Sequence, residues 1–321
     1  MQKSYYVLIG IFVIILLFVV FFNTYVIKKL EYFQNISADI GNFICVYFYN
    51  AALHFIEGKN YFQEIPRQEF LEHLPAFLSL DIELQKKLLS NGFTKEELEK
   101  EMEYNTPGGT WLVNNNRRGL FWSLMKPYIH KIMDNAFMES GLKEGAIENT
   151  QETICIHFRC SDIPFMRYNQ YHLQKYSYFK KCLDEVSHFG YKKIKLVSCS
   201  FHRSSSANQK ACQEYIGSLV DYLSSLGYSV ETVCTTNIED FATLFYAPIC
   251  ISTGGSYSFM SGFFGNGIFM AEGHYINDEN FPESQCTDCT WLKHGHCLKH
   301  SDVDDYYDTD KVVSLLRDSE S

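Results

Sequence analysis

The spacing of apolar positions changes as the chain runs. Residues 5–22 form an uninterrupted apolar run with one glycine, long enough to cross a bilayer, and residues 23–27 can extend it. The run is longer than the core of a cleaved signal peptide, and no small-x-small cleavage pattern follows. It therefore predicts a membrane anchor over residues 1–28. Lys3 lies on one side and Lys28 and Lys29 on the other, so flanking charge favours neither orientation strongly.

Residues 29–150 carry helical spacing. Over 39–54, Gly41-Asn42 precedes a helical apolar pattern and predicts a tight turn feeding a helix N-terminus, where unpaired N–H groups can face a ligand. A plain helix cap is the alternative. Segments 66–89 and 94–102 predict amphipathic helices, the second with Thr94 and Glu97 in capping-box spacing. A further helix is predicted over 120–137, with Pro127 as a kink or boundary. Arg117 and Arg118 read as solvated loop charges or as contacts for an acceptor or phosphate.

From Ile154 the pattern alternates. Strands are predicted at 154–158, 193–198, 228–233, 249–252 and 267–271. Helical segments are predicted at 171–189, 207–226, 238–246 and 257–264. Such alternation argues for a parallel sheet with helices on both faces, so residues 151–321 are expected to form a Rossmann-like domain.

Asp and Glu exceed Lys and Arg to a net charge of −10 with no basic stripe, which argues against nucleic acid as a partner. The first strand is followed by neither a P-loop nor a Gly-x-Gly-x-x-Gly turn. Eleven cysteines are many for a cytosolic enzyme. Cys155, Cys199 and Cys250 nevertheless fall in or beside apolar strands, where free cysteine acts as a small hydrophobe. Cys286, Cys289, Cys297 and His300 have compact spacing that suits structural zinc, and disulfides fit the cysteines equally well. Asn35-Ile36-Ser37 is a glycosylation sequon. Asp-x-Asp occurs in the tail, at 302–304 and 308–310, but no apolar strand leads into it. Asp308 or Asp310 reads better as the cap of a helix over 311–317.

The chemistry concentrates at strand ends. At the end of the first strand, His157 and Arg159 share one face, Phe158 points into the core, and Asp162 follows. A fixed cation outside the carboxyl end of a parallel strand suits an anionic ligand, a diphosphate above all. A loop tied by an Arg159–Asp162 pair is the plainer reading. Ser200-Phe201-His202-Arg203-Ser204 follows the second strand. Thr253-Gly254-Gly255-Ser256-Tyr257-Ser258-Phe259 follows the fourth, combining glycines and hydroxyls before a helix, where phosphate oxygens or a simple cap would fit.

His157-x-Arg159-x-x-Asp162 resembles the shared motif of the fucosyltransferase-like glycosyltransferases, the α-1,2, α-1,6 and protein O-fucosyltransferase types. Segment 237–259 resembles their last shared motif, and Gly41-Asn42 their opening Gly-x-Gly-Asn turn with Asp39 in place of the first glycine. Cys160-Ser161 replaces the Arg-Gly common inside the first motif. The resemblance implies an α/β, GT-B-like chain of two Rossmann-like domains behind a single transmembrane helix. Residues 29–150 would hold the acceptor, a glycan or protein, and residues 151–321 the donor, GDP-fucose or a related nucleotide sugar. It implies inverting transfer with no metal cofactor and catalytic roles for Arg159, His157 and Asp162. It gives donor contacts to Gly41, Asn42, His157, Arg159, Asp240, Ser252, Ser256, Ser258 and Phe259, with Asp240 on the base and the hydroxyl segment on the phosphates. It also implies a Golgi or ER protein with a lumenal globular part. A catalytically silent binding protein on the same fold is the other reading.

Overall fold

The computed structural model describes residues 40–65, 69–104, 117–160, 162–167, 172–199, 205–272, 289–292 and 297–317. The expected membrane anchor, Asn35, the 200–204 loop and Cys286 lie outside the described residues. Among the described residues, no helix is long and apolar enough to cross a membrane.

The N-terminal part begins with α1 (Ile40–Ile56), the two-residue β1 (Tyr61–Phe62), a 3-10 turn and β2 (Phe77–Leu78). It continues through α2 (Ile82–Ser90), α3 (Lys95–Tyr104), α4 (Arg118–Glu139) and α5 (Lys143–Thr150). The helix expected over 66–89 is divided, because Pro75 enters and its carbonyl accepts from Tyr47 Oη at 2.6 Å while β2 pairs antiparallel with β1. Helix α2 instead starts at Asp81, whose carboxylate accepts from Leu84 N. Thr94 Oγ1 accepts from Glu97 N at 3.2 Å, as the capping spacing predicts. Pro127 sits inside α4 without ending it. Arg117 is neither a solvated charge nor aimed at a ligand. It grips Glu97 at 2.6 Å, donates to the Gly92 carbonyl at 3.2 Å and lies over the Phe93 ring.

The sheet part runs β3 (Thr153–His157), α6 (Ile163–Met166), β4 (Leu173–Gln174), α7 (Tyr176–Glu185), β5 (Lys193–Val197), α8 (Ser206–Ser225), β6 (Ser229–Val233) and α9 (Asn237–Tyr246). Then come β7 (Ile249–Ser252), the short α10 (Ser256–Ser258) leading into a π-helical turn Phe259–Phe263, β8 (Ile268–Glu272), β9 (Cys289–Leu292), β10 (Cys297–Leu298) and α11 (Thr309–Arg317). The expected helix over 171–189 is shortened at its start by β4, which pairs antiparallel with β10. Asp308 Oδ1 accepts from Lys311 N at 3.3 Å, so the tail carboxylate serves as a cap.

Six strands form one sheet in the order β6-β5-β3-β7-β8-β9, every neighbouring pair parallel. The chain starts at the centre with β3, moves outward through β5 and β6, then returns to the other side of β3 with β7. This is the Rossmann-like order, and its direction reverses between β3 and β7.

The two faces of the sheet bury different material. Ile154, Ile156, Phe158, Ile194, Leu196, Ile249, Ile251 and Met270 pack with α7, α8 and α11. Cys155, Val197, Cys250, Phe269 and Ala271 pack with α1, α4 and α9 in one continuous cluster. The expected GT-B-like pair of Rossmann-like domains is corrected here. Among the described residues, 40–150 hold helices and one two-stranded antiparallel ribbon rather than a second parallel sheet. Those helices share a core with the sheet across residue 150, where the sequence placed a domain boundary.

Candidate functional site at the strand-order reversal

The carboxyl ends of β3 and β7 open side by side where the strand order reverses, the place at which open α/β sheets leave a crevice for ligands. Strand β3 is buried along its whole length, so its polarity changes abruptly on leaving the sheet at His157. The backbone of Thr253 continues the ladder by donating to the His157 carbonyl at 3.1 Å, and the Thr253 hydroxyl accepts from Arg159 N at 2.9 Å. The two loops are thereby locked in register. Phe158 turns into the opposite core, as its alternation predicts.

Arg159 presents Nε and Nη2 to Asp162 Oδ1 and Oδ2 at 3.3 and 2.9 Å. This fork-to-carboxylate pairing fixes the guanidinium plane. The third nitrogen, Nη1, passes over Gly255, where a β-carbon would lie 2.8 Å from it. Gly255 also has φ +93°, so both its conformation and its neighbour demand glycine.

His157 is buried beside this cation, its ring centroid 5.5 Å from that of Tyr257. Burial, reinforced by the Arg159 charge, pushes its pKa down to about 3, so the imidazole is neutral at physiological pH. Its Nδ1 is buried without a hydrogen-bond partner. Leaving such an atom unpaired costs about 1–3 kcal/mol, which a ligand atom placed against it would relieve.

Helix α1 reaches the same crevice. A β-carbon at Gly41 would fall 2.6 Å from the backbone of Tyr257, so glycine alone allows the helix to lie against this segment. Ser256 Oγ then donates to Asn42 Oδ1 at 2.6 Å. The Gly41-Asn42 pair therefore sits in the first turn of α1 rather than in a turn before it.

Ser252 and Ser258 face inward. Gly254 N donates to Ser252 Oγ at 3.0 Å, the two hydroxyls bond at 2.6 Å, and Ser258 Oγ donates back to the Gly254 carbonyl at 3.1 Å. Tyr178 Oη closes the surround by donating to the Ser252 carbonyl at 2.6 Å. Phe259 belongs to the aromatic core around Trp122, Phe264 and Phe269.

Asp240 lies on α9 beyond the β5 and β6 ends. Its Oδ1 accepts from the Thr235 backbone and hydroxyl at 3.1 and 2.7 Å. Burial raises its pKa against these stabilising hydrogen bonds. Tyr257 ties the start of α9 to the segment after β7: its ring meets Phe241 edge-on at 5.2 Å and its hydroxyl donates to the Asn237 carbonyl at 2.5 Å.

The cysteines are arranged differently from the expectation. Cys199 pairs with Cys234 at a Cα separation of 5.3 Å, and Cys160 with Cys212 at 5.8 Å. Cys199 is therefore not the free buried thiol expected, whereas Cys155 and Cys250 are. Both thiols are pushed up in pKa by burial and are chemically quiet. Cys199, Cys234 and Asp240 bring ligand atoms within 4.8 Å of one another, but the sulfurs are consumed in the disulfide. Of the C-terminal set, Cys297 lies on β10, and His300 Nδ1 meets Tyr306 Oη at 2.7 Å.

The structure thus gathers His157, Arg159, Asp162, Asn42, Gly41 and Ser256 at one crevice, sets Asp240 to its side, and turns Ser252, Ser258 and Phe259 inward. Sequence reasoning missed Tyr257 as the ring on His157 and Thr253 as the clamp on Arg159. Both stand inside the hydroxyl-rich segment after β7, and that clustering was the available signal. Comparison with family models, with curated proteins and with solved structures finds no match to this chain.

Proposed function

We propose that the chain is a membrane-anchored, inverting glycosyltransferase that takes a nucleotide sugar, GDP-fucose by resemblance, and transfers the sugar to a glycan or protein acceptor in the Golgi or ER lumen. The observation that carries the reading is a fixed guanidinium at the carboxyl ends of β3 and β7, beside a buried, unpartnered His157 Nδ1. In the reaction the acceptor hydroxyl attacks the anomeric carbon and gives up its proton to water, the bond to the donor β-phosphate breaks, and negative charge grows on the departing diphosphate. Arg159 meets that charge while Asp162 holds its plane, so little reorganisation accompanies the step. Neutral His157 directs Nδ1 at a donor oxygen or hydroxyl. Gly41 and Gly255 let α1 and the Arg159 side chain close against the segment after β7, which fixes the groups that face the ligand. The disulfides agree with an oxidising compartment.

A second reading has its own support. The bidentate Arg159–Asp162 pair would equally serve a binding protein that holds the nucleotide sugar without transferring it. Nucleotide-sugar hydrolysis without acceptor separates the two, together with a thermal-shift screen on the full chain. Stabilisation by GDP-fucose with slow release of GDP supports the transferase. Stabilisation without turnover, with or without acceptor, supports the binder, and no response to any nucleotide sugar rejects both.

A further inference from the structure

The face of the sheet shared with the N-terminal helices is not fully covered. A strand buried on both sides reads apolar throughout, as β3 does, but β5 alternates: Ile194 and Leu196 enter one core while Lys193 and Lys195 point the other way. Over Lys195 there is a cavity of about 340 Å³, at the small end of ligand pockets. Its floor is Lys195 on β5 with Glu231 and Val233 on β6. Helix α9 and α5, with the turn before α5, form its walls.

Three observations bear on what it holds. Lys195 is a mid-strand cation with its side chain 17 % exposed, and its partner Glu231 stands 3.7 Å away, beyond hydrogen-bond distance. Around it are Glu231, Asn149 and Glu239, whose Oε2 accepts from Thr236 N and Oγ1 in the cap of α9, against an apolar patch of Leu142, Val233 and Ala242. Gly145 stands inside α5, where glycine weakens a helix, yet a β-carbon there meets nothing within 4 Å. The space that any other side chain would occupy is left open.

We infer that this cavity is a binding site for a neutral saccharide residue, separate from the crevice at β3 and β7 and independent of what that crevice binds. A simple anion is disfavoured by the two glutamates and a simple cation by the lysine. A polyhydroxylated ring donates to carboxylates and accepts from an ammonium and an amide at once, and its C–H faces suit the apolar patch. Only a ligand of both characters meets Lys195, Glu231, Asn149 and the apolar patch together.

The test uses the full chain in phospholipid nanodiscs free of carbohydrate, with the methyl glycosides of glucose, galactose, mannose and fucose as probes in saturation-transfer NMR. Repeating it with saturating GDP and GDP-fucose separates this cavity from the crevice. Saturation of ring protons is expected in the wild type and persists with the nucleotides present. Gly145→Leu abolishes it with melting temperature unchanged or raised, because leucine is the better helix former. Lys195→Met weakens it about tenfold or more, the loss of a hydrogen bond to a charged group. Absence of saturation for all four neutral glycosides overturns the inference. So does saturation that survives Gly145→Leu, and binding of methyl glucuronide alone overturns the assigned ligand class.

Discussion

The loops after β3 and β7 lie side by side and use their polar atoms in opposite ways. After β7, the hydroxyls of Ser252 and Ser258 form a closed circuit with the Gly254 backbone, all of it buried. After β3, Arg159 keeps its side chain 25 % exposed and His157 retains a buried nitrogen without a partner. A closed circuit rigidifies the loop that carries it, whereas an unmet atom beside a fixed cation stores a cost that a ligand can remove. The contrast separates groups that hold the crevice in shape from groups that face what enters it.

Arg159→Lys sharpens the contrast most. It keeps the charge but loses the planar fork, and on the proposed function turnover falls on the order of a hundredfold. Melting temperature changes little, because lysine keeps a positive charge beside the buried Asp162 carboxylate. Turnover and melting are read on one preparation. Near-normal turnover would assign Arg159 to tying the loop, and a collapse in melting would make it structural.

Ser258→Ala is expected to show the reverse pattern. The change strands the Ser252 hydroxyl and the Gly254 carbonyl, at a cost of about 1–3 kcal/mol in unfolding free energy, while turnover per folded molecule stays near wild type. Chemical denaturation gives the first quantity and an active-site titration the second. Lost turnover at full stability would place Ser258 among the ligand contacts and dissolve the distinction.

Acid should act on the two regions unequally. The folded pKa of His157 is lowered to about 3 from an unfolded value near 6.5, so between these pH values the unfolded chain binds the extra proton. The contribution of neutral His157 is complete above about pH 6.5 and is lost as pH falls, at roughly 1 kcal/mol per pH unit. Asp240 has the opposite sign: its raised pKa favours the folded state in acid and loses that contribution as pH rises through the folded value. Unfolding free energies measured from about pH 7 to about pH 5 should therefore fall less steeply in His157→Asn than in the wild type. Parallel slopes would mean that His157 is not held neutral by the fold.

The smallest effect expected is none. On the proposed function Arg159 meets the leaving-group charge, and the Asp-x-Asp tail is otherwise employed. Asp304 pairs with Lys311 at 2.9 Å and Asp308 caps α11. Turnover in EDTA should match the untreated enzyme. Loss restored by Mn²⁺ would transfer the electrophilic role from Arg159 to an ion.

Much of the sheet was legible because β3, β7 and β8 are apolar runs that require burial whatever surrounds them, and β5 alternates at the period of a strand. His157 and Arg159 were legible as a pair because alternation along a strand fixes which side chains share a face. Strands of two residues such as β4 and β10 carry no periodicity, and each exists only because the other lies opposite. Disulfide pairing depends on strand ends meeting in space: Cys199 and Cys234 are 35 residues apart, and no local pattern joins them. The second Rossmann-like sheet was inferred by resemblance rather than from strand patterning, and the helical spacing over 39–54 and 120–137 was the better guide. The inward turn of Ser258 was illegible for a related reason. A hydroxyl before a helix looks the same whether it faces a phosphate or the Ser252 side chain.

The seating of Gly41 and Asn42 against Tyr257 and Ser256 also sets a timetable for synthesis. The Asn42–Ser256 contact spans 214 residues, so at about 5–20 residues per second the first turn of α1 leaves the ribosome roughly 10–40 seconds before its partner exists. During that interval a 17-residue helix, most of it destined for burial, follows closely behind an apolar run expected to enter the bilayer. Its length is at the lower limit for spanning a membrane, and Asn42, Asn50 and His54 are the polar positions that weigh against insertion. Replacing these three with leucine is expected to favour entry of this helix into a bilayer, a competition that the polar positions of α1 hold in check until Ser256 emerges.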